Sequence, residues 1–187
     1  MKLKKITNEI YLGLNKKEIR HTSNDKIFEY ELLTIKSVNN KFINRNMLDT
    51  YESLTKIDDK FLTKKDDVII CSKPPYNVIL VDDSYENILV PNNFIILRSS
   101  NVNVIFLYNY LNLLGSKMKN DEKDDNINIT KYDVENIDVD LDNENIDKVA
   151  SLSSRINKRQ EAYSKLLDND QELLEMIFVK EEIIYNE

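Results

Sequence analysis

Glycine occurs only twice in 187 residues, at Gly13 and Gly115, against an ordinary usage of roughly 7%. A phosphate-cradling loop, a dinucleotide fingerprint and the Gly-rich loop of an S-adenosylmethionine site each need clustered glycines, so that backbone can approach the ligand. Two isolated glycines exclude all three, and with them a self-contained methyltransferase. Cysteine and histidine occur once each, as Cys71 and His21, which makes neither a zinc cage nor a nucleophile pair. Cys71 has no internal disulfide partner and reads, within "DDVIICSK", as a small buried thiol. His21 reads as a polar surface residue. No apolar run approaches the ~20 residues of a membrane span, and no signal pattern opens the chain. The expectation is a cytoplasmic protein without a membrane partner.

What is present is charge, unevenly spread. The net −7 is an average over residues 1–100, with 16 basic against 14 acidic side chains, and residues 101–187, with 10 against 19. Phosphate contacts need local Lys and Arg rather than a basic whole, so a nucleic-acid face on the first part is electrostatically open.

Of three prolines, two stand together in Lys73-Pro74-Pro75-Tyr76. The run resembles the Asn/Asp/Ser-Pro-Pro-aromatic loop with which amino-methyltransferases hold an extruded base. Its first position, however, is a cation with no acceptor, and the cofactor loop is missing. The other reading is a strand-to-strand turn, where missing N–H groups are harmless.

Several runs suggest strands: "FEYELLTIKSV" (28–38), "DDVIICS", "NVILVDD", and "NILVPNNFIILRSS" broken at Pro91-Asn92-Asn93. They predict a β-rich curved sheet or partial barrel. "NVIFLYNYLNLLG" (103–115) reads as a core-packed helix ending at Gly115. The charged "SKMKNDEKDDNINI" reads as a loop, and "NINIT" and "IDVDL" as short half-buried strands. From Asn143 the pattern becomes a long helix. Alternating steps of three and four give Val149, Leu152, Ile156, Arg159, Tyr163, Leu166, Asp170, Leu173 and Ile177, a coiled-coil seam with two polar exceptions that set register or partner choice. At 1.5 Å per residue, 143–178 would extend roughly 50 Å, too long for one small domain to cover. The expected fold class is α+β: a head over 1–142 and a spacer or dimerisation helix over 143–187.

The order of these parts resembles the target-recognition half of a type I restriction-modification specificity subunit. "KLKKITNEIYLGLNKKEI" is similar to that family's opening. "FLTKKDDVIICSKPPYNVILVDDSYENILVPNNFIILRSS" resembles its central stretch, in which a Leu-x-x-x-Asp-Asp-Val/Ile entry into one strand is followed by a Val-x-Pro-x-Asn-Phe entry into another; "VPNNF" here keeps the Pro-x-Asn-Phe part. "VIFLYNYLNLLGSKM" resembles the helix that follows, and "ITKYDVENIDVDLDNENIDKVASLSSRINKRQEAYSKL" the closing strand and spacer helix. Two departures stand out. Where the family has Pro and Gln at the helix start, this chain has "LDNENI", with Asp142 or Asn143 as caps and Asn145 in the Gln-like place. The family carries two recognition domains and two spacer helices; this sequence holds one of each, with no internal repeat.

The resemblance implies a protein that is not an enzyme and binds no cofactor itself. It implies double-stranded DNA and a DNA methyltransferase subunit as partners, S-adenosylmethionine lying on the latter, and leaves room for a restriction subunit. Homodimerisation, or pairing with a second half subunit, would restore the bipartite form, and a symmetric pair would read an interrupted palindrome. The loops "NKKEIRHT" and "NNKFINRN" supply the DNA-contacting candidates Lys16, Lys17, Arg20, Lys41 and Arg45, with Asn40, Asn46 and Tyr76 as base readers and Lys73 as a further contact. The competing class is a coiled-coil decoy or inhibitor that occupies the methyltransferase subunit without reading DNA.

Overall fold

The computed structural model describes residues 1–16, 26–38, 42–121 (side chains to 114) and 128–139, together with individual positions between Lys148 and Leu173. Among the described residues six strands, β1 (Glu9–Leu12), β2 (Phe28–Leu32), β3 (Asp49–Ser53), β4 (Val68–Cys71), β5 (Val78–Leu80) and β6 (Phe94–Arg98), are followed by α1 (Val104–Asp121) and α2 (Lys131–Glu135). Four of the strands form an antiparallel sheet in the order β1-β6-β4-β5, while β2 and β3 form a separate hairpin. The architecture is α+β with antiparallel sheets, as expected; among the described residues β1 and β5 are the edge strands of the larger sheet.

The sheet is buried on both faces. Val68, Ile70, Val78, Ile95 and Leu97 pack against Phe106, Leu107 and Leu111 of α1 and Val134 of α2. On the other face Ile69, Cys71, Ile79, Phe94 and Ile96 pack against Leu33, Val38, Ile43, Ile88 and Val90. Two-sided burial explains why "VIIC" and "FIIL" are unbroken apolar runs, since no position faces water. Cys71 is buried here, and burial pushes its thiol pKa up, away from nucleophilic character. A third, smaller cluster of Leu32, Ile57, Leu62 and Leu89 lies under the β2–β3 hairpin.

Several sequence expectations need correction. Of "FEYELLTIKSV" only Phe28–Leu32 is a strand; Ser37 then donates from its backbone and side chain to Thr34, turning the chain. Gly115 does not end α1, which continues to Asp121, so 116–121 are helical rather than loop; 122–127 lie outside the described residues. The helix opens at Asn103, whose Oδ1 accepts from the N–H groups of Ile105 and Phe106. In "NINIT" the described residues form no strand. Instead Thr130 and Asp133 make a capping box that starts α2. In "IDVDL" the described residues 137–139 pair with the chain's start through the bridge Lys2↔Asp138 and the bonds from Val139 N–H to the Met1 carbonyl (2.7 Å) and from Leu3 N–H to the Ile137 carbonyl (2.9 Å); 140 and 141 lie outside the described residues.

These caps carry a pH signature. Hydrogen bonds from Thr130 hold the Asp133 carboxyl below its ordinary pKa, and the Lys2 ammonium, 2.7 Å away, does the same for Asp138. A lowered folded-state pKa means a contribution present above the unfolded pKa and lost as pH falls through the folded one. The double variant Asp133→Asn, Asp138→Asn is therefore expected to lose stability less steeply than wild type as pH falls below the ordinary carboxylate range, in denaturant titrations. Equal slopes would refute the assignment.

Candidate nucleic-acid interface

Antiparallel order brings the C-terminal ends of β1 and β4 and the N-terminal ends of β5 and β6 to one end of the sheet: Leu12 lies opposite Ile95, Cys71 opposite Phe94, and Ile70 opposite Val78. Three connections meet there, residues 13–16, 72–77 and 91–93, and backbone bonds lock them together. Gly13 N–H donates to Phe94 (3.0 Å), Leu14 N–H to Val90 (2.8 Å), Asn92 N–H to Leu14 (2.9 Å) and Ser72 N–H to Asn93 (2.9 Å). Asn77 Nδ2 donates to the Val38 carbonyl at 2.9 Å, so the bridge Val38↔Ile43 brings a fourth segment to the same end.

Lys73-Pro74-Pro75-Tyr76 is the β4–β5 turn, closed by the Tyr76 N–H on the Lys73 carbonyl (2.8 Å), with a cis Pro74–Pro75 bond. Lys73 is exposed. Tyr76 is not: it is 2% exposed and packed in the core beside Val78 and Leu111. That removes it from the base readers, because the turn directs its ring into the α1 side of the sheet.

Lys16 is exposed at this end, directly after Asn15. Arg45 lies elsewhere. Its guanidinium donates to the Ser84 carbonyl and sits 5.9 Å from the Tyr85 ring, beyond the opposite end of β5, where that interaction holds it. Asn46 is exposed in the turn Arg45–Met47, its N–H donating to Asn44 Oδ1 at 3.1 Å. Lys17, Arg20, His21, Asn40 and Lys41 lie outside the described residues.

Charge separates the two ends. The connections 13–16, 72–77 and 91–93 contain lysines and side-chain amides but no Asp or Glu. The opposite end carries both signs, with Glu9, Lys64, Lys65, Asp66, Asp67 and Arg98 around one depression. The outward face of the hairpin is acidic: Glu29 lies directly opposite Glu52, and Glu31 opposite Thr50. Among the described residues, phosphate is repelled least at the end formed by these acid-free connections.

Sequence reasoning missed two features there. Asn92, read only as part of a strand break, is exposed and donates from Nδ2 to Asn15 Oδ1 at 3.3 Å. Beside the pair runs a groove of about 370 Å³, lined by Leu14, Asn15, Tyr51, Lys56, Phe61 and one carboxylate, Asp58, among others. The only available sequence signal was the "PNN" turn itself, whose two amides suit base edges once they are known to be exposed.

In the last stretch the described positions between Lys148 and Leu173 are helical. Leu152, Ile156, Tyr163, Leu166 and Leu173 are between 45% and 66% exposed. Their spacing of 4, 7, 3 and 7 sets them on one helix face, so at these positions the seam is uncovered. Arg159 and Asp170 are exposed helical positions as well; Val149 and Ile177 lie outside the described residues. No described helix is long and apolar enough to cross a membrane, and no group of His, Cys, Asp or Glu among the described residues is arranged to hold a metal ion.

No family model and no curated protein matches the sequence. Solved structures do. A structure of the type I R-M system, solved for its complex assembly and conformational transition, is similar over 87% of this chain at TM-score 0.60 and 15% identity. The fold is thus one found in type I restriction-modification assemblies. More particularly, the HsdS subunit from Thermoanaerobacter tengcongensis is similar over the same 87% at TM-score 0.54 and 14% identity, so the chain has a specificity-subunit-like fold. In both cases the match covers 38% of the other chain.

Proposed function

We propose that this chain is a sequence-reading subunit of a type I-like restriction-modification complex. Its head, 1–142, binds one half of a split site in double-stranded DNA through the acid-free end of the sheet. Its helix, 143–187, pairs through the Leu152–Ile156–Tyr163–Leu166–Leu173 stripe with a second copy or another half subunit, and holds the DNA methyltransferase subunit. Chemistry and S-adenosylmethionine belong to that partner, and a restriction subunit joins through it. The protein works in the cytoplasm, where its DNA is.

The observation that carries this reading is the fold shared with type I structures across 87% of the chain. The uncovered stripe supports the pairing, since five large apolar side chains on one helical face gain stability only when another surface covers them. A second reading, a decoy that binds the methyltransferase subunit and ignores DNA, is favoured by the net −7 and the acidic hairpin face.

Selection from a random duplex library, with and without a type I methyltransferase subunit, separates the two. The proposed function predicts an interrupted motif and affinity falling steeply with salt, by a log–log slope of about −0.9 per phosphate contacted. Methyltransferase binding with no motif establishes the decoy instead.

A further inference from the structure

The paired amides at the acid-free end have a geometry that goes beyond general DNA affinity. Asn15 and Asn92 come from connections 77 residues apart, and both are exposed. They are not loose side chains on mobile tips: the reciprocal bonds of Leu14, to Val90 and from Asn92, fix the backbones that carry them. A reading group on such a clamp loses little conformational freedom when it meets a base.

A side-chain amide has two N–H donors and a carbonyl acceptor. Reading adenine requires that Asn92 donate to Asn15 the N–H anti to its own oxygen, which leaves the other N–H and the oxygen side by side. Adenine shows a complementary pair in the major groove, N7 as acceptor and the N6 amino group as donor. Guanine offers two acceptors there and would leave the Asn92 oxygen facing another oxygen. Lys16 and Lys73, at the same end, supply cations for the flanking phosphates.

We infer that Asn92, oriented by its hydrogen bond to Asn15, reads an adenine in the bound half-site. Asn15 is the positioning residue. The inference rests on the DNA-reading function proposed above and specifies one base of its target.

The test is motif selection from the random duplex library by full-length variants, alongside their thermal unfolding. Asn92→Asp keeps the shape but removes both donors, and Asn92→Ala removes the amide. Each is expected to lose the preference for A·T at one position by about tenfold while the remainder of the motif and the melting temperature stay unchanged. Asn15→Ala, which removes the acceptor that orients Asn92, is expected to blunt the same position and no other. Asn15→Asp keeps that acceptor and is expected to preserve the preference, with a uniform loss of affinity from the added charge. If wild type selects a motif and Asn92→Ala selects the same one at full strength, the adenine assignment is wrong though the protein reads DNA. If wild type selects no motif, the DNA-reading function fails and the assignment with it.

Discussion

Gly13→Ala is expected to lower the unfolding free energy by about 3 kcal/mol or more and the melting temperature by about 6–12 °C. The reason is a close approach rather than backbone freedom, since Gly13 has no positive φ. A Cβ on Gly13 would lie 2.6 Å from the Val90 carbonyl oxygen and nearer still to the carbonyl oxygen of Pro91. These obstacles are backbone and cannot rotate away. The connections must separate, weakening the bonds Gly13–Phe94, Leu14–Val90 and Asn92–Leu14, each worth about 1 kcal/mol, beyond an overpacking cost of about 1–3 kcal/mol. The same shift parts Asn15 from Asn92, so base selection should blur even where the variant stays folded. A circular-dichroism melt within about 1 °C of wild type would contradict the packing described for this end of the sheet.

Asp67→Ala is expected to cost about 3–5 kcal/mol, the range for removing one partner of a buried ion pair. Asp67, 2% exposed, accepts from Arg98 Nε at 2.9 Å and Nη2 at 3.0 Å, and from the Lys64 N–H at 2.9 Å. Arg98 also donates to the Leu62 carbonyl at 2.7 Å and lies 5.6 Å from the Tyr11 ring. Without the carboxylate a guanidinium with 14% side-chain exposure is left with one carbonyl and a ring face, which do not offset its desolvation. Burial, the largest influence on Asp67, raises its pKa against the opposing pull of Arg98. Replacing the pair together, as Asp67→Leu with Arg98→Met, should recover much of the loss, because it leaves no buried charge uncompensated. A denaturant midpoint for Asp67→Ala equal to wild type would show that the pair contributes nothing.

The long apolar runs were legible in sequence because a strand buried on both faces announces itself in consecutive residues. "VIIC" and "FIIL" are such strands. The Pro-Pro turn was legible too, since proline has no N–H for a ladder. Helix α2 was obscured by its length: five residues show little period, and its signal lay in the Thr130/Asp133 cap beside an alternating "NINIT". Gly115 misled because glycine at the end of an apolar period suggests a cap, yet a helix interior tolerates one at a cost of about 1 kcal/mol. Asp67 stood in the Asp-Asp-Val segment that marked the family resemblance, but its partner Arg98 is 31 residues away, and local pattern says nothing about such a pairing.

The candidate interface divides in the same way. Composition alone excluded glycine-loop cofactor sites and set most of the acid in the second part of the chain, because those are properties of the residues themselves. Which amides and lysines share a surface was decided only by the strand order β1-β6-β4-β5, which joins Glu9 to Arg98 and Cys71 to Phe94. Lys and Asn recur along the whole chain and look alike there. Tertiary pairing buried Tyr76, drew Arg45 to Ser84 and set Asn92 against Asn15, since a side chain's surroundings come from segments distant in sequence.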